Sequence, residues 1–177
     1  MNSVFFNKVG GIFWSFIRQG LKEGLLLDLT LQYHLRLKAM KGFFNQLLRI
    51  NLSDQKFKVE PIPESVLRSY LGGKGLGSYL LLKENPPEID PFSPQNRLIF
   101  TLGPLADTPF YGSSRYAVFT KSPQTGIYSE SYSGGKITLS LSRTGYDAII
   151  IEGKSKDPIF LEISDKEVAF HSASSLW

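Results

Sequence analysis

Along residues 42–177 the apolar positions change period several times, and each change marks an element. "FFNQLLRINL" and "KFKVEPI" are short apolar or alternating runs on either side of "SDQK", which predicts a β-hairpin. Pro61 and Pro63 end its second strand, because proline cannot donate to a ladder. Next, "ESVLRSYLGG" places Val66, Leu67, Tyr70 and Leu71 at helical spacing, with Gly72 as the stop. A second helix, "GLGSYLLLKEN", ends before Pro86-Pro87, which cannot continue it. "DPFSPQN" reads as a turn and "RLIFTLGP" as a short buried strand. Near the end, "YDAIIIEG", "PIFLEIS" and "EVAFHS" read as three strands in close succession. Their short links, "KSKD" and "DK", predict antiparallel pairing. The pattern therefore predicts an α+β fold, mostly antiparallel sheets with a few helices, with sheet at both ends and helices gathered between.

One segment supports two readings. In "KITLSLSRTG", Ile137, Leu139 and Leu141 alternate as in a strand, yet Ser133 and two glycines could open a helix running to Gly145. Residues 1–41 read differently from the rest. "GIFWSFIRQG" is broken by Arg18 and falls well short of the roughly 20 residues that span a bilayer. It also lacks the layout of a signal peptide. "LDLTLQYHLRLK" alternates, with Leu27, Leu29, Leu31, Tyr33, Leu35 and Leu37 on one side, as a strand would. We read 1–41 as an N-terminal extension, with Met40 as the natural start of the domain, in preference to a membrane-surface segment.

Charge sharpens this division. The chain of 177 residues carries +4, and residues 1–41 hold all of it, with six Lys or Arg against two acids. The remaining residues carry fourteen of each sign. A neutral globular part argues against nucleic acid as a partner, and no membrane partner is expected for it. With no cysteine the chain has no disulfide and no thiolate ligand of its own, and His34 and His171 do not form a zinc-ligand cluster.

The stretch "YGSSRYAVFTKSPQTGIYSESYSGG", Tyr111 to Gly135, stands out because it holds one arginine, one lysine and one carboxylate among hydroxyls, glycines and aromatics. Arg115 follows the small residues Gly112, Ser113 and Ser114. A guanidinium so placed can reach a flat, heteroatom-rich anion with paired hydrogen bonds, or it can be a plain surface arginine at a strand end. "YSGG", Tyr132 to Gly135, suits phosphate oxygens if a helix begins there. "GGKGLG", Gly72 to Gly77, lacks the ending of a P-loop and follows a helix, not a strand, so a helix–helix corner packed through glycine is the simpler reading. Asp147 and Glu152 flank a strand and are expected to be solvated. No acid–base pair or nucleophile triad emerges.

Taken together, "YLGGKGLGSYLLLKE", "DPFSPQNRLIFTLGPL", "GSSRYAVFTKSPQTG", "SYSGG", "GYDAIIIEGKSKDP" and "SSLW" resemble the N-terminal domain of the aldehyde ferredoxin oxidoreductases in order and spacing. The resemblance runs from about Gly42 to Trp177. It implies that residues 42–177 are the first part of a sheet-built, pterin-cofactor-binding domain. The implied enzyme oxidises an aldehyde to a carboxylate in the cytoplasm and passes electrons through a four-iron–four-sulfur cluster to ferredoxin. Its metal, tungsten or molybdenum, is held by the dithiolenes of two pterins whose phosphates are bridged by magnesium. By the same resemblance, Arg115 contacts a pterin, and Tyr132, Ser133 and Gly134 approach the phosphates and the magnesium. Tyr132 stands where the family often carries asparagine; tyrosine would keep a contact through the backbone carbonyl but not one through a side-chain amide. The resemblance also favours a helix after Gly135. The cluster cysteines and the substrate cavity belong to later domains of the family, so this chain alone is expected to hold no complete active site. An isolated part of such a platform exposes apolar surface, which predicts self-association and no bound metal. A truncated, non-catalytic product and a phosphate-binding module are the alternative readings.

Overall fold

The structure, a computed structural model, describes residues 42–175. The expectations for residues 1–41, including the Leu27–Leu37 strand, and for Trp177 lie outside the described residues.

The hairpin forms as the sequence predicts. β1 (Gln46–Asn51) pairs antiparallel with β2 (Lys56–Pro61). α1 (Glu64–Tyr70) follows Pro63, and α2 (Gly73–Glu84) ends before the Pro86-Pro87 pair. β3 (Leu98–Leu102), β4 (Arg115–Lys121) and β5 (Tyr128–Gly134) form an antiparallel meander. α3 (Lys136–Arg143) follows directly, so the helical reading of "KITLSLSR" holds. β6 (Ala148–Glu152), β7 (Ile159–Ile163) and β8 (Val168–Ser172) complete the described part.

The strand partners correct one expectation. β6 does not pair with β7. It enters the centre of a six-stranded mixed sheet ordered β2-β1-β6-β3-β4-β5, parallel to β1 and antiparallel to β3, while β7 and β8 form a separate two-stranded sheet. The reason is burial. "AIIIE" is apolar at consecutive positions, and such a run needs cover on both faces. The centre of the sheet supplies that cover, and a terminal hairpin does not.

Each face of the large sheet has its own core. On one side α1 and α2 pack Leu67, Leu76, Leu80 and Leu81 against Leu47, Ile99, Phe119 and Ile150. On the other, the β7–β8 hairpin brings Leu161, Val168 and Phe170 against Leu48, Ile50 and Ile149. Fully burying a side chain such as Phe119 or Ile150 contributes about 1.5–3 kcal/mol.

"GGKGLG" is mostly helix. The corner is confined to Leu71 and Gly72, and α2 starts at Gly73, inside the expected helix–helix corner and two residues before the expected helix. Its glycines serve close approach: a Cβ on Gly77 would sit 2.1 Å from the Phe119 ring. This is how α2 lies flat on β4.

Asp147 and Glu152 are not solvated as expected. Asp147 is 5% exposed and accepts the backbone N–H groups of Phe44 (3.0 Å) and Asn45 (2.6 Å), fastening the entry to β1 onto the start of β6. Burial pushes its carboxyl above the ordinary aspartate value, although these N–H groups pull the other way. Glu152 meets Arg49 and Arg97, each at 3.3 Å. Arg49, in the middle of β1, also reaches Glu60 and Glu84 at 3.0 Å each. Partners a hundred residues away make these carboxylates structural. No helix among the described residues is long and apolar enough to cross a membrane.

Candidate functional site

The hydroxyl-rich stretch folds into β4, β5 and the first turn of α3, and its register brings the two ends together. Arg115 stands directly opposite Gly134, and Ala117 opposite Tyr132. Side chains alternate along a strand. Arg115, Ala117 and Phe119 therefore share the helix-covered face with Tyr128, Glu130, Tyr132 and Gly134. The three serines of β5 point to the other face. Ser133 is thus separated from Arg115 and Tyr132 by the thickness of the sheet.

Backbone groups follow the same logic. The Ser122 N–H donates to the Ile127 carbonyl at 2.8 Å, and the Arg115 N–H turns away to Ser113 at 2.8 Å. In an antiparallel ladder bonded pairs alternate, so the bonded pairs here are Thr120–Ser129, Val118–Ser131 and Tyr116–Ser133. Tyr128, Glu130, Tyr132 and Gly134 then direct their N–H and C=O groups to the open edge of the sheet, where β5 has no further strand among the described residues. Ser133 spends its backbone groups on the ladder. The Tyr132 carbonyl does not.

The surroundings are electropositive. The Arg115 side chain is exposed, and no carboxylate pairs with it among the described residues. Beyond Gly134, Gly135 at φ +83° turns the chain into α3, whose first turn has no side-chain cap and no acidic residue. The dipole and free N–H groups at such a start favour anions. Thr138, in that same turn, is fully buried and its hydroxyl has no partner among the described residues. Ser114 Oγ donates to the Gly135 carbonyl at 3.0 Å and so ties the residue before Arg115 to the glycine corner. A guanidinium, an edge carbonyl and a helix start thus lie within a few residues of one another. This set suits a magnesium-bridged phosphate: anionic oxygens for the guanidinium and N–H groups, a hard cation for the carbonyl.

A second cluster lies on the same face, and the sequence reading missed it. Glu130 Oε1 accepts Lys74 Nζ at 2.7 Å and Oε2 accepts the Tyr128 hydroxyl at 2.5 Å. Tyr128 also meets Ser78 Oγ at 2.8 Å. These bonds hold the Glu130 carboxyl below the usual glutamate range, Lys74 contributing most. The alternation Tyr-Ser-Glu-Ser-Tyr was the available signal.

A three-layer α+β domain with a free sheet edge beside an exposed arginine is the class the geometry defines. Comparison with known proteins makes it specific. The sequence profile of the aldehyde ferredoxin oxidoreductase N-terminal domain matches residues 47–177, and the chain belongs to that family. It is 46% identical over 138 residues to the tungsten-containing aldehyde ferredoxin oxidoreductase of Pyrococcus horikoshii, covering 78% of this chain and 23% of that protein. It is 34% identical over 141 residues to the WOR-like subunit of an aliphatic sulfonate oxidoreductase of Pyrococcus furiosus, covering 78% and 22%. Among solved structures it superposes on a chain of the active site complex BamBC of benzoyl coenzyme A reductase bound to 1,5-dienoyl-CoA. That match has a TM-score of 0.74 and 36% identity, over 77% of this chain and 21% of the other. The chain thus spans under a quarter of the length of the relatives it matches.

Proposed function

We propose that this chain forms the first part of the pterin-cofactor platform of a tungsten-dependent aldehyde:ferredoxin oxidoreductase. The observation that carries this reading is the pairing of Arg115, which has no carboxylate partner among the described residues, with Gly134, beside the edge carbonyl of Tyr132. Arg115 would hold a pterin through its guanidinium. The Tyr132 carbonyl would take the magnesium, which makes tyrosine in this position compatible with the contact. Gly134 and the start of α3 would face the phosphates, and the Ser133 hydroxyl would serve the opposite face of the sheet. When bound, the tungsten bispterin supplies the two-electron redox chemistry; the residues of this chain bind and orient it.

Tungsten is favoured over molybdenum because the relatives at 43–46% identity are named for it. Ferredoxin as acceptor follows from the same names, and a ferredoxin-linked reaction favours the cytoplasm. A four-iron–four-sulfur cluster would take its cysteines from outside these 177 residues, which contain none. The substrate cavity would come from the same further domains, joined or separate.

Producing the chain together with such domains tests the reading. The complex is expected to contain tungsten and pterin and to reduce ferredoxin or a dye with an aldehyde as donor. A soluble complex with neither tungsten nor pterin would contradict it.

A further inference from the structure

Glu130 is the one carboxylate between residues 122 and 146, and it stands on the face and strand that the proposed site uses. It lies two positions from Tyr132, about 7 Å along the strand. That is within one Debye length, about 8 Å at physiological salt, so an uncompensated charge there would oppose any phosphate bound at the edge. Protonation does not remove the charge, because the bonds to Lys74 and Tyr128 favour the ionised form.

Lys74 is an unusual choice for its position. It is the second residue of α2, where the helix dipole disfavours a cation, and the first turn of α2 holds no acidic residue. Its helix is fixed in place by the Thr101 hydroxyl on the Gly73 carbonyl at 2.9 Å and by Gly77 beneath Phe119. The ammonium is therefore delivered to Glu130 from a rigid element, against the local dipole.

We propose that Lys74 and Glu130 are positioning residues of the same cofactor edge: Lys74 neutralises Glu130 and, together with the Ser78–Tyr128 bond, ties β5 to α2, so that β5 is held in place and accepts a phosphate-bearing ligand. This rests on the proposed function and adds residues that the family resemblance did not assign. Glu130 holds Tyr128 at 2.5 Å and Lys74 at 2.7 Å, and Lys74 makes that anchor compatible with an anion.

The test uses magnesium pyrophosphate as the probe and the isotope-labelled chain, reading amide shifts from Tyr132 to Gly135. Lys74→Met is expected to weaken binding about tenfold at low salt by exposing the Glu130 charge. Glu130→Gln alone should change affinity by less than about threefold, the charge of Lys74 then helping and the lost anchor hindering. The double variant should recover to within about threefold of the parent, and Lys74→Arg should bind as the parent does. The difference between Lys74→Met and the parent should vanish at roughly 0.5 M salt. Unchanged binding in Lys74→Met overturns the inference. A double variant as weak as Lys74→Met also overturns it, by making Lys74 a direct ligand. If the parent itself shows no shifts at Tyr132–Gly135, the reading of the site fails and takes this inference with it.

Discussion

Arg115 and Gly134 face each other across β4 and β5, so close that a Cβ on Gly134 would lie 3.6 Å from the Arg115 Cδ and 2.6 Å from the Ser114 carbonyl oxygen. The guanidinium stem crosses a strand position that has no side chain. Gly134→Ala should therefore displace β4 or β5 and destabilise the domain by about 1–3 kcal/mol, as overpacking does. Denaturant midpoints measure this, and an unaltered midpoint would mean that the approach is looser than described.

Gly77 makes the matching point for α2. Gly77→Ala forces a methyl group into the Phe119 ring, and a loss of about 1–3 kcal/mol is expected. Phosphate affinity in molecules that remain folded should fall by no more than it does in Lys74→Met, since α2 also carries Lys74. A glycine loop used for phosphate would show the reverse, with little loss of stability and much loss of binding.

Asp147 fastens the beginning of β1 to β6. Asp147→Ala would leave the Phe44 and Asn45 N–H groups without their acceptor, which costs about 1–3 kcal/mol for each group that stays buried. The loss should appear as faster amide exchange at residues 44–50.

Two carboxyl groups give opposite pH slopes. Arg49 holds the Glu60 carboxyl below its ordinary 4.5 through hydrogen bonding, with Lys58 adding to the effect and burial opposing it. This stabilisation is complete above pH 4.5 and is lost as the pH falls below it. Asp147 acts the other way: its folded form binds the proton more tightly, so from 3.8 up to its raised value stability declines as pH rises. Glu60→Gln should flatten the acid side of the stability–pH curve, and Asp147→Asn should remove the opposing slope. Denaturant midpoints taken from pH 3 to 7 check both.

Much of the local structure was legible because it depends on near neighbours. The hairpin around "SDQK", the proline that ends β2 and the proline pair after α2 all act within a few residues. The partner of β6 was not legible, since β1 lies a hundred residues upstream, although its unbroken apolar run indicated a central place. Asp147 looked like an ordinary strand-flanking acid for the same reason: its donors, Phe44 and Asn45, are distant in sequence. In the candidate site, composition and resemblance singled out Arg115 and the glycine corner. The split between Tyr132 and Ser133 depends on the strand register, which the alternation in "YSESYSG" carries once the stretch is a strand and not a helix start. Lys74 and Glu130 are 56 residues apart, and only folding joins them.

The central claim is that Arg115 grips the cofactor, and tungsten content per polypeptide tests it most directly. In a complex with the remaining domains, Arg115→Ala should lose most of its tungsten and pterin while keeping its thermal stability. Arg143→Ala, which removes only an exposed ion pair with Asp107, should stay fully loaded. Full tungsten loading in Arg115→Ala would contradict the account.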